Sequence, residues 1–277
     1  VMNFPSELEA FRAYAQTYPD ATLLLVDTYD TLKSGVPNAI KVFNELRAAG
    51  HEPLGIRLDS GDLAYLTKKA RKMLDDAGFP NTIICASGDL DEYSITSLKN
   101  QGACISSWGV GTKLITSADM PALGGVYKLA AVIEDGEIIP KIKLSDNSAK
   151  ITNPGFKTIY RIYGKDGMAE ADLIALRGET FDTSKPLTIV HPVERWKKLT
   201  FEPGEYTMKE LPIKVIEKGE LVSAMPPLKE IVAYAKKEKE TFWDEYKRID
   251  KPHIYKVDLS DELYTLKTNM INAIRRG

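Results

Sequence analysis

The sequence of 277 residues has only two cysteines, Cys85 and Cys104, and no long apolar segment. Two cysteines cannot build the disulfide framework of a small secreted domain, and they indicate a reducing compartment. No apolar run approaches the roughly 20 residues that cross a bilayer. The formal net charge is −2, so no excess of positive charge points to nucleic acid or to an anionic membrane surface. These scarcities exclude a secreted scaffold, a membrane-spanning protein and a basic DNA-binding module, and they favour a cytoplasmic enzyme or binding domain.

Side chains that commonly act as nucleophiles or metal ligands are also scarce. The three histidines, His51, His191 and His253, all lie in predicted connections between elements. No histidine and cysteine spacing suits a metal site, and no Gly-x-Ser-x-Gly motif or Ser-His-Asp order is present. Cys85 and Cys104 lie inside and at the start of apolar runs, as small core residues do. The chemistry is therefore expected to depend on carboxylates, an arginine and backbone amides.

The first half of the sequence does contain a repeated alternation of apolar runs and helical patterns. Four apolar runs predict strands buried on both faces, as in a parallel sheet: residues 22–28, 53–59, 82–87 and 105–109. The helical patterns after the first two strands have apolar positions on one face and end at Gly50 and Gly78, where a C-terminal cap belongs. Such strand–helix repeats are βαβ units, and they predict an α/β fold.

Each predicted strand of this half ends in polar or glycine residues. The four ends are Asp27-Thr28, Asp59-Ser60-Gly61, Ser87-Gly88-Asp89 and Gly109-Val110-Gly111-Thr112. In a parallel sheet or barrel the carboxyl ends of the strands lie on one rim, where ligands bind. These residue types also favour ordinary turns, but four consecutive ends with the same character favour a site.

Two of these strand ends are candidate phosphate cradles. Gly109 and Gly111 can bring bare backbone amides against an anion, and Thr112 adds a hydroxyl. The preceding turn, Ser87-Gly88-Asp89, is a second segment of small residues, and adjacent turns of barrel enzymes often share one phosphate.

The segment from Arg57 to Asp62 is the most informative. Arg57 and Asp59 alternate along a strand end, so their side chains are predicted on the same side. A guanidinium suits a carboxylate or a phosphate, and a nearby aspartate suits sugar hydroxyls or a developing sugar cation. The alternative is structural: an ion pair, with Ser60 or Asp62 capping the next helix.

The pattern changes near residue 125. Two hairpins are predicted, around Glu134-Asp135-Gly136 and around the turn at 164–167, followed by β-like stretches at 187–191 and 211–217. Two helices close the chain. Apolar residues of the first are predicted on one inward stripe, opposite a solvated charge run at 236–240: Leu228, Ile231, Ala235, Phe242 and Tyr246. The last helix is capped by Ser260 and directs inward Leu263, Leu266, Met270 and Ile274.

Five segments together closely resemble the nicotinate phosphoribosyltransferase family. They are residues 4–11, 25–30, 55–62 with its Arg-Leu-Asp-Ser-Gly-Asp motif, 108–112 with its Gly-Val-Gly-Thr motif, and 141–145. The resemblance implies a partial (β/α) barrel of the type II phosphoribosyltransferases with a flanking α+β domain. On this basis residues 1–125 are expected to form the barrel portion with the phosphoribosyl site. Residues 126–277 are expected to supply remaining barrel elements, hairpins and the flanking domain's helices.

The resemblance also implies a reaction. The family forms nicotinate mononucleotide and pyrophosphate from nicotinate and phosphoribosyl pyrophosphate, coupled to ATP hydrolysis, with Mg²⁺, in a cytoplasmic homodimer. Arg57 is then expected to contact the nicotinate carboxylate or the 5′-phosphate, while Asp59, the catalytic candidate, contacts ribose hydroxyls beside Ser60. The phosphate-binding set is Ser87, Gly88, Asp89, Gly109, Gly111 and Thr112. A weaker set on the same rim, toward pyrophosphate or Mg²⁺, is Asp27, Thr28, Lys143 and Ser145.

One feature departs from the family pattern. The family couples ATP through a phosphorylated histidine just upstream of the segment that resembles Val1-Met2, and the three histidines of this sequence do not replace it. The chain opens at Val1 without an initiator methionine, as though inside a strand. The 277 residues alone are therefore expected not to catalyse the coupled reaction. Two alternatives are a relative that uses nicotinamide or quinolinate, and a non-catalytic phosphate-binding fragment.

Overall fold

The computed structural model describes residues 1–147 and 150–276. The chain divides into two compact units, Val1–Gly124 and Gly125–Gly277, which are described in turn. No helix among the described residues is long and apolar enough to span a bilayer.

The first unit contains a four-stranded parallel sheet whose strands follow one another in chain order. Its elements are α1 (Glu7–Thr17), β1 (Leu23–Leu25), α2 (Val36–Ala48), β2 (Gly55–Leu58), α3 (Leu63–Asp76), β3 (Ile83–Ala86), α4 (Glu92–Asn100), β4 (Ser107–Trp108) and α5 (Thr112–Ile115). The four predicted strands and the helices between them are confirmed. This curled sheet with its helices is the predicted partial barrel.

The start of the chain differs from the prediction. Residues 1–6 form turns rather than a strand, and the Phe4 amide donates to the Val1 carbonyl at 3.0 Å. Helix α1 then begins, because the Ser6 side chain accepts a hydrogen bond from the Glu9 amide as an N-cap. Residues 1–6 belong to no strand that the structure describes, so the expected opening strand was wrong.

The core of the first unit lies between the sheet and its helices. Phe43 of α2 is fully buried and meets Phe79 edge to face, with ring centroids 5.5 Å apart. Ile56 and Ile84 of the central strands are also fully buried. Leu25 departs from the predicted two-sided burial: it is 38% exposed, and β1 is an edge strand with β2 as its one neighbour in this sheet.

The second unit is built around a mixed six-stranded sheet in the order β10-β9-β14-β8-β7-β11, flanked by two small hairpins. Its elements are β5 (Ala131–Glu134), β6 (Glu137–Pro140), β7 (Lys157–Gly164), β8 (Ala169–Leu176), β9 (Leu187–Val190), β10 (Lys198–Phe201), β11 (Tyr206–Glu210), β12 (Ile216–Glu217), β13 (Glu220–Leu221), α6 (Leu228–Glu240), β14 (Lys256–Leu259) and α7 (Asp261–Arg276). Both predicted hairpins, β5–β6 and β7–β8, are confirmed.

The stretch 211–217 does not form the predicted strand; the strand in this region, β11, lies just before it. Strand β11 pairs with β7 instead, and the pairing ends where the Leu211 amide donates to the Ile159 carbonyl at 2.9 Å. Residues 211–215, beyond this pairing, are in no strand. Only the last two residues of the predicted stretch are extended, in the small β12–β13 hairpin.

The inward stripe predicted for the first closing helix is also wrong. None of the residues of α6 is buried, and Leu228 is 75% exposed. The helix is capped at Thr241. The Thr241 carbonyl accepts a hydrogen bond from the Ala169 amide at 2.8 Å and takes no part in a further helical turn. Phe242 and Tyr246 therefore leave the stripe and pack against the ring of Tyr255.

The charge run of α6 is not wholly solvated either. The Glu238 side chain is 17% exposed and reaches Lys209 at 2.9 Å and Arg161 at 3.7 Å. In α7 the Ser260 cap is confirmed, since its hydroxyl accepts from the Leu263 amide at 3.1 Å. Leu263 is buried as predicted, whereas Ile274 is 53% exposed.

Candidate functional site

The carboxyl ends of β1, β2 and β3 bring Asp27, Arg57, Asp59, Ser60 and Ser87 into one hydrogen-bonded network. Oδ2 of Asp27 accepts two hydrogen bonds, from the Asp59 amide at 2.8 Å and from the Ser60 hydroxyl at 2.7 Å. Asp27 thus joins the end of β1 to the end of β2. It was predicted only as a weaker rim residue, but it is a hydrogen-bonded member of this network.

Arg57, Asp59 and Ser87 form a closed triangle. The Arg57 side chain donates through Nε to the Ser87 hydroxyl at 2.8 Å and through Nη2 to Oδ1 of Asp59 at 3.1 Å. The Ser87 hydroxyl in turn donates to the same oxygen of Asp59. Arg57 and Asp59 lie on the same side of the strand end, as their spacing predicts. They also form the ion pair of the structural alternative, with both side chains about half exposed.

The triangle fixes the charge state of Asp59. The hydrogen bond from Ser87, followed by that from Arg57, lowers the pKa of the Asp59 carboxyl below its ordinary value. A carboxylate that is already ionised can hold sugar hydroxyls or oppose a developing positive charge.

The neighbouring rim residues have more ordinary roles. Asp62 is the N-cap of α3, because Oδ1 accepts from the Tyr65 amide at 3.0 Å. The predicted structural role of Asp62 as a helix cap is thus confirmed. Ser60, the other candidate cap, does not cap α3, and its hydroxyl donates to Asp27 instead. The Thr28 side chain is half-buried beside them and makes no hydrogen bond to a residue that the structure describes.

The turn after β3 has an unusual backbone. Gly88 and Asp89 have consecutive positive φ angles of 93° and 46°. A Cβ at Gly88 would lie 2.2 Å from the carbonyl oxygen of Asp59, so the two strand ends approach as closely as they do only with glycine there. The amides of Gly88 and Asp89 are exposed and make no hydrogen bond to a described residue, which leaves them available to an anion.

The turn after β4 is only partly available. The Gly109 amide donates to the Ala86 carbonyl at 2.8 Å, so this N–H is part of the sheet and is not free for phosphate. The amides of Gly111 and Thr112 precede or begin the short helix α5 and have no partner among the described residues. A phosphate cradle here would therefore use Gly111 and Thr112, with Gly109 providing the close approach.

One charged pair at this rim was missed. Lys113 of α5 reaches Asp91 at 3.2 Å, and Asp91 caps α4 in a reciprocal capping box with Ser94. The Ser94 backbone N–H, the Ser94 hydroxyl and Lys113 lower the pKa of Asp91 to about 2. An Asp three residues before Ser is a weak cap signal in sequence, and the partner 22 residues away gives no signal at all.

Lys143 and Ser145 belong to the second unit. The Lys143 amide donates to the Thr152 hydroxyl at 2.9 Å, and the Ser145 hydroxyl accepts from the Asn147 amide at 3.3 Å. The Lys143 side chain is exposed. Their predicted contact with pyrophosphate stays a prediction.

The histidines have structural partners. Nδ1 of His51 lies 2.7 Å from Asp20, and Nδ1 of His191 accepts from the amides of Val193 and Glu194. Across residues 1–147 and 150–276, no group of three or more His, Cys, Asp and Glu side chains is placed to hold a metal ion.

Comparison with known proteins identifies the chain's relatives. Residues 156–267 match the family model of the nicotinate phosphoribosyltransferase C-terminal domain. The chain is 47% identical over 276 residues to nicotinate phosphoribosyltransferase of Bacillus subtilis (strain 168), covering 99% of this chain and 56% of that protein. It is 32% identical over 273 residues to the Homo sapiens protein of the same name, covering 96% of this chain and 50% of that one.

Solved structures agree. The crystal structure of human nicotinic acid phosphoribosyltransferase matches with a TM-score of 0.75 and 28% identity, over 95% of this chain and 49% of that one. Nicotinate-nucleotide pyrophosphorylase from Pyrococcus furiosus shares the fold, with a TM-score of 0.56 at 19% identity over 87% of this chain and 52% of that one. The chain spans about half the length of the curated relatives it matches. As its motifs predict, the chain is similar over nearly its whole length to nicotinate phosphoribosyltransferases, and its residues 156–267 match their C-terminal domain.

Proposed function

We propose that the protein containing this chain is a nicotinate phosphoribosyltransferase of NAD biosynthesis. It forms nicotinate mononucleotide and pyrophosphate from nicotinate and phosphoribosyl pyrophosphate, coupled to ATP hydrolysis and dependent on Mg²⁺. The observation that carries the proposal is the network at the ends of β1, β2 and β3. Each charged side chain there uses some polar atoms internally and keeps one without an internal partner.

The unpaired atoms suit the two halves of the substrate pair. Asp59 uses Oδ1 within the triangle, and its Oδ2 makes no hydrogen bond to any residue that the structure describes. Arg57 uses Nε and Nη2, and Nη1 has no partner in the same described residues. We assign Oδ2 of Asp59 to ribose hydroxyls and Nη1 of Arg57 to an anionic group of the substrates.

A groove beside Arg57 supports the carboxylate of nicotinate as that anion, rather than the 5′-phosphate. Arg57 lines this groove together with Phe4, Tyr14, Tyr18 and Leu25, all of which are partly exposed. Apolar and aromatic walls with a single guanidinium suit a flat aromatic ring that carries one carboxylate.

The 5′-phosphate is assigned to the two turns. The exposed amides of Gly88, Asp89, Gly111 and Thr112 can converge on an anion without a positively charged side chain. Departure of pyrophosphate leaves a positively charged, oxocarbenium-like sugar, which the ionised Asp59 opposes. Catalysis by this chain is then mainly positioning and electrostatic stabilisation.

The residues present also fit Mg²⁺. Oδ1 of Asp27 makes no hydrogen bond to a described residue, and Mg²⁺ is commonly held by one or two carboxylates together with substrate phosphates. Asp27 would hold the ion. When bound, Mg²⁺ supplies neutralisation of the negative charge on the departing pyrophosphate.

The test uses the complete protein and three asparagine variants. Asp59→Asn and Asp27→Asn are expected to lower kcat/KM for nicotinate mononucleotide formation at least 100-fold, because each removes one unpaired carboxylate oxygen while its amide oxygen can keep the internal bonds. Asp62→Asn is the matched control: asparagine caps helices as well as aspartate, so activity should stay within about twofold. Wild-type kinetics with nicotinate, nicotinamide and quinolinate identify the pyridine substrate.

Failure of the wild-type protein to form nucleotide from any of these pyridines would refute the proposed reaction and favour the non-catalytic fragment. The 277-residue chain by itself is expected to show no ATP-stimulated nucleotide formation, and robust activity would contradict the proposed need for a phosphorylated histidine outside it. We also propose a cytoplasmic homodimer, in keeping with two free cysteines and the family resemblance. Light scattering of the complete protein measures its oligomeric state.

A further inference from the structure

Ser87 has a different environment from the other residues of the phosphate-binding set. It is 5% exposed, whereas Gly88 and Asp89 after it are exposed. A serine hydroxyl has one proton to donate, and Ser87 gives it to Oδ1 of Asp59 while accepting from Nε of Arg57. Because the one hydroxyl proton of Ser87 is already donated to Asp59, Ser87 has no proton to donate to a phosphate.

We propose that Ser87 is a positioning residue that determines which atoms of Asp59 and Arg57 face the substrates. This inference rests on the proposed function and deepens it. Ser87 and Arg57 both donate to the same oxygen of Asp59, so the carboxylate is oriented with Oδ2 outward. The hydroxyl also holds Nε of Arg57, which directs the guanidinium so that Nη1 is the unpaired nitrogen.

The backbone of Ser87 is held by the sheet, and its short side chain places the hydroxyl one bond beyond Cβ. The Ser87 amide donates to the Leu58 carbonyl at 2.9 Å, which continues the β2–β3 ladder to the rim. On the other side, a Cβ at Gly109 would lie 3.2 Å from the Cβ of Ser87, so the glycine leaves room for the Ser87 side chain. The backbone of Ser87 is thus held to β2 and its side chain is buried, while Arg57 and Asp59 are each about half exposed. Ser87, the buried member of the triangle, therefore orients Arg57 and Asp59, the two members that contact substrate.

The first experiment measures kcat and KM of the complete protein with Ser87→Ala, Ser87→Thr and the control Ser106→Ala. Ser106 directly precedes β4, and among the described residues its hydroxyl bonds to the Ile84 backbone alone. Ser87→Ala is expected to raise KM for phosphoribosyl pyrophosphate at least tenfold and to lower kcat/KM about 100-fold. Ser87→Thr should restore most of the loss, and Ser106→Ala should stay within twofold. Loss of folded protein alone would lower apparent kcat and leave KM unchanged, so an unchanged KM in Ser87→Ala overturns the proposal.

A double-mutant cycle with Asp59→Ala separates positioning from direct contact. If Ser87 acts through Asp59 and Arg57, Ser87→Ala costs less in the Asp59→Ala background than in the wild type, and costs nothing further once Arg57→Ala is added as well. Fully additive losses in both backgrounds would mean that Ser87 contacts the substrate itself, and would overturn the inference. An inactive wild-type protein would instead refute the proposed function. In that case calorimetric Kd values for phosphoribosyl pyrophosphate, measured on the same variants, decide the role of Ser87: a tenfold weakening in Ser87→Ala supports it, and none refutes it.

Discussion

Gly88 offers a direct test of how closely the ends of β2 and β3 approach. Its φ is +93°, and a Cβ there would lie 2.2 Å from the Asp59 carbonyl oxygen. Gly50, at the end of α2, has nearly the same φ of +87° but open space around its Cβ position. Comparing Gly88→Ala with Gly50→Ala therefore separates the cost of the backbone conformation from the cost of the overlap.

The expected magnitudes follow from these two terms. A left-handed conformation costs a non-glycine residue roughly 1–2 kcal/mol, and both variants carry that cost. An overlap that forces backbone to shift adds about 1–3 kcal/mol, and only Gly88→Ala carries it. We expect Gly88→Ala to destabilise the first unit by about 2–5 kcal/mol and Gly50→Ala by about 1–2 kcal/mol.

Urea unfolding followed by tryptophan fluorescence measures the difference. Trp108 packs against the core of the first unit, while Trp196 and Trp243 are both in the second unit and more than a third exposed. Trp108 can be isolated as a reporter by replacing the other two with phenylalanine in every variant. Equal midpoints for Gly88→Ala and Gly50→Ala would refute the close approach of the two strand ends.

Two further predictions concern charged groups. The pKa of Asp91 is lowered to about 2, chiefly by the Ser94 backbone N–H, and lies below the unfolded value of roughly 3.9. The ionised Asp91 therefore stabilises the folded state fully above about pH 4, and this stabilisation is lost as the pH falls toward 2. The unfolding midpoints of the wild type and Asp91→Asn should converge over this pH interval. A constant difference between the two midpoints would contradict the assignment. Asp172→Ala should cost up to about 3 kcal/mol in urea unfolding, because it removes the nearer of the two carboxylates that pair with the mostly buried Arg161 side chain and leaves Glu238 at 3.7 Å as the remaining partner. The control is Asp76→Ala, which removes the exposed i,i+4 ion pair with Lys72 and should leave the urea midpoint unchanged.

The elements of the first unit could be predicted because local signals agree there. The predicted apolar positions of α3 include the buried Leu63 and Ala70, and Gly78 follows the helix with a φ of +83°. Apolar runs bounded by glycine and polar residues located all four strands. Both patterns depend on residues a few positions apart, which is the range over which sequence periodicity carries information.

The second unit was harder because its sheet depends on distant pairings. Strand β14 lies between β8 and β9, although more than 60 residues of chain separate it from either. Half of its residues are exposed, so no apolar run marks it. The α6 stripe failed for a related reason: periodicity shows that a helix has an apolar face, but it does not show what covers that face.

At the candidate site, the sequence predicted the rim but not the connections within it. Strand ends located Arg57, Asp59 and Ser87, and alternation placed the first two on one side. The hydrogen bonds of Asp27 could not be predicted, because they depend on the register that sets Leu25 opposite Arg57. The engaged Gly109 amide is likewise a consequence of the pairing of β3 with β4.

The charges at this rim have a consequence for the proposed substrate. The network contains two carboxylates, those of Asp27 and Asp59, and one guanidinium, that of Arg57, which is already paired with Asp59; Lys113 is paired with Asp91. Ion pairing within this network therefore cannot balance a diphosphate that carries several negative charges. Backbone amides provide partial positive charge for a single phosphate, but a diphosphate beside carboxylates needs a cation of higher charge. The excess of carboxylates thus supports both Mg²⁺ and the assignment of the unpaired oxygen of Asp27 to it. Phosphoribosyl pyrophosphate binding should then weaken when Mg²⁺ is removed, and Asp27→Asn should abolish most of that Mg²⁺ dependence.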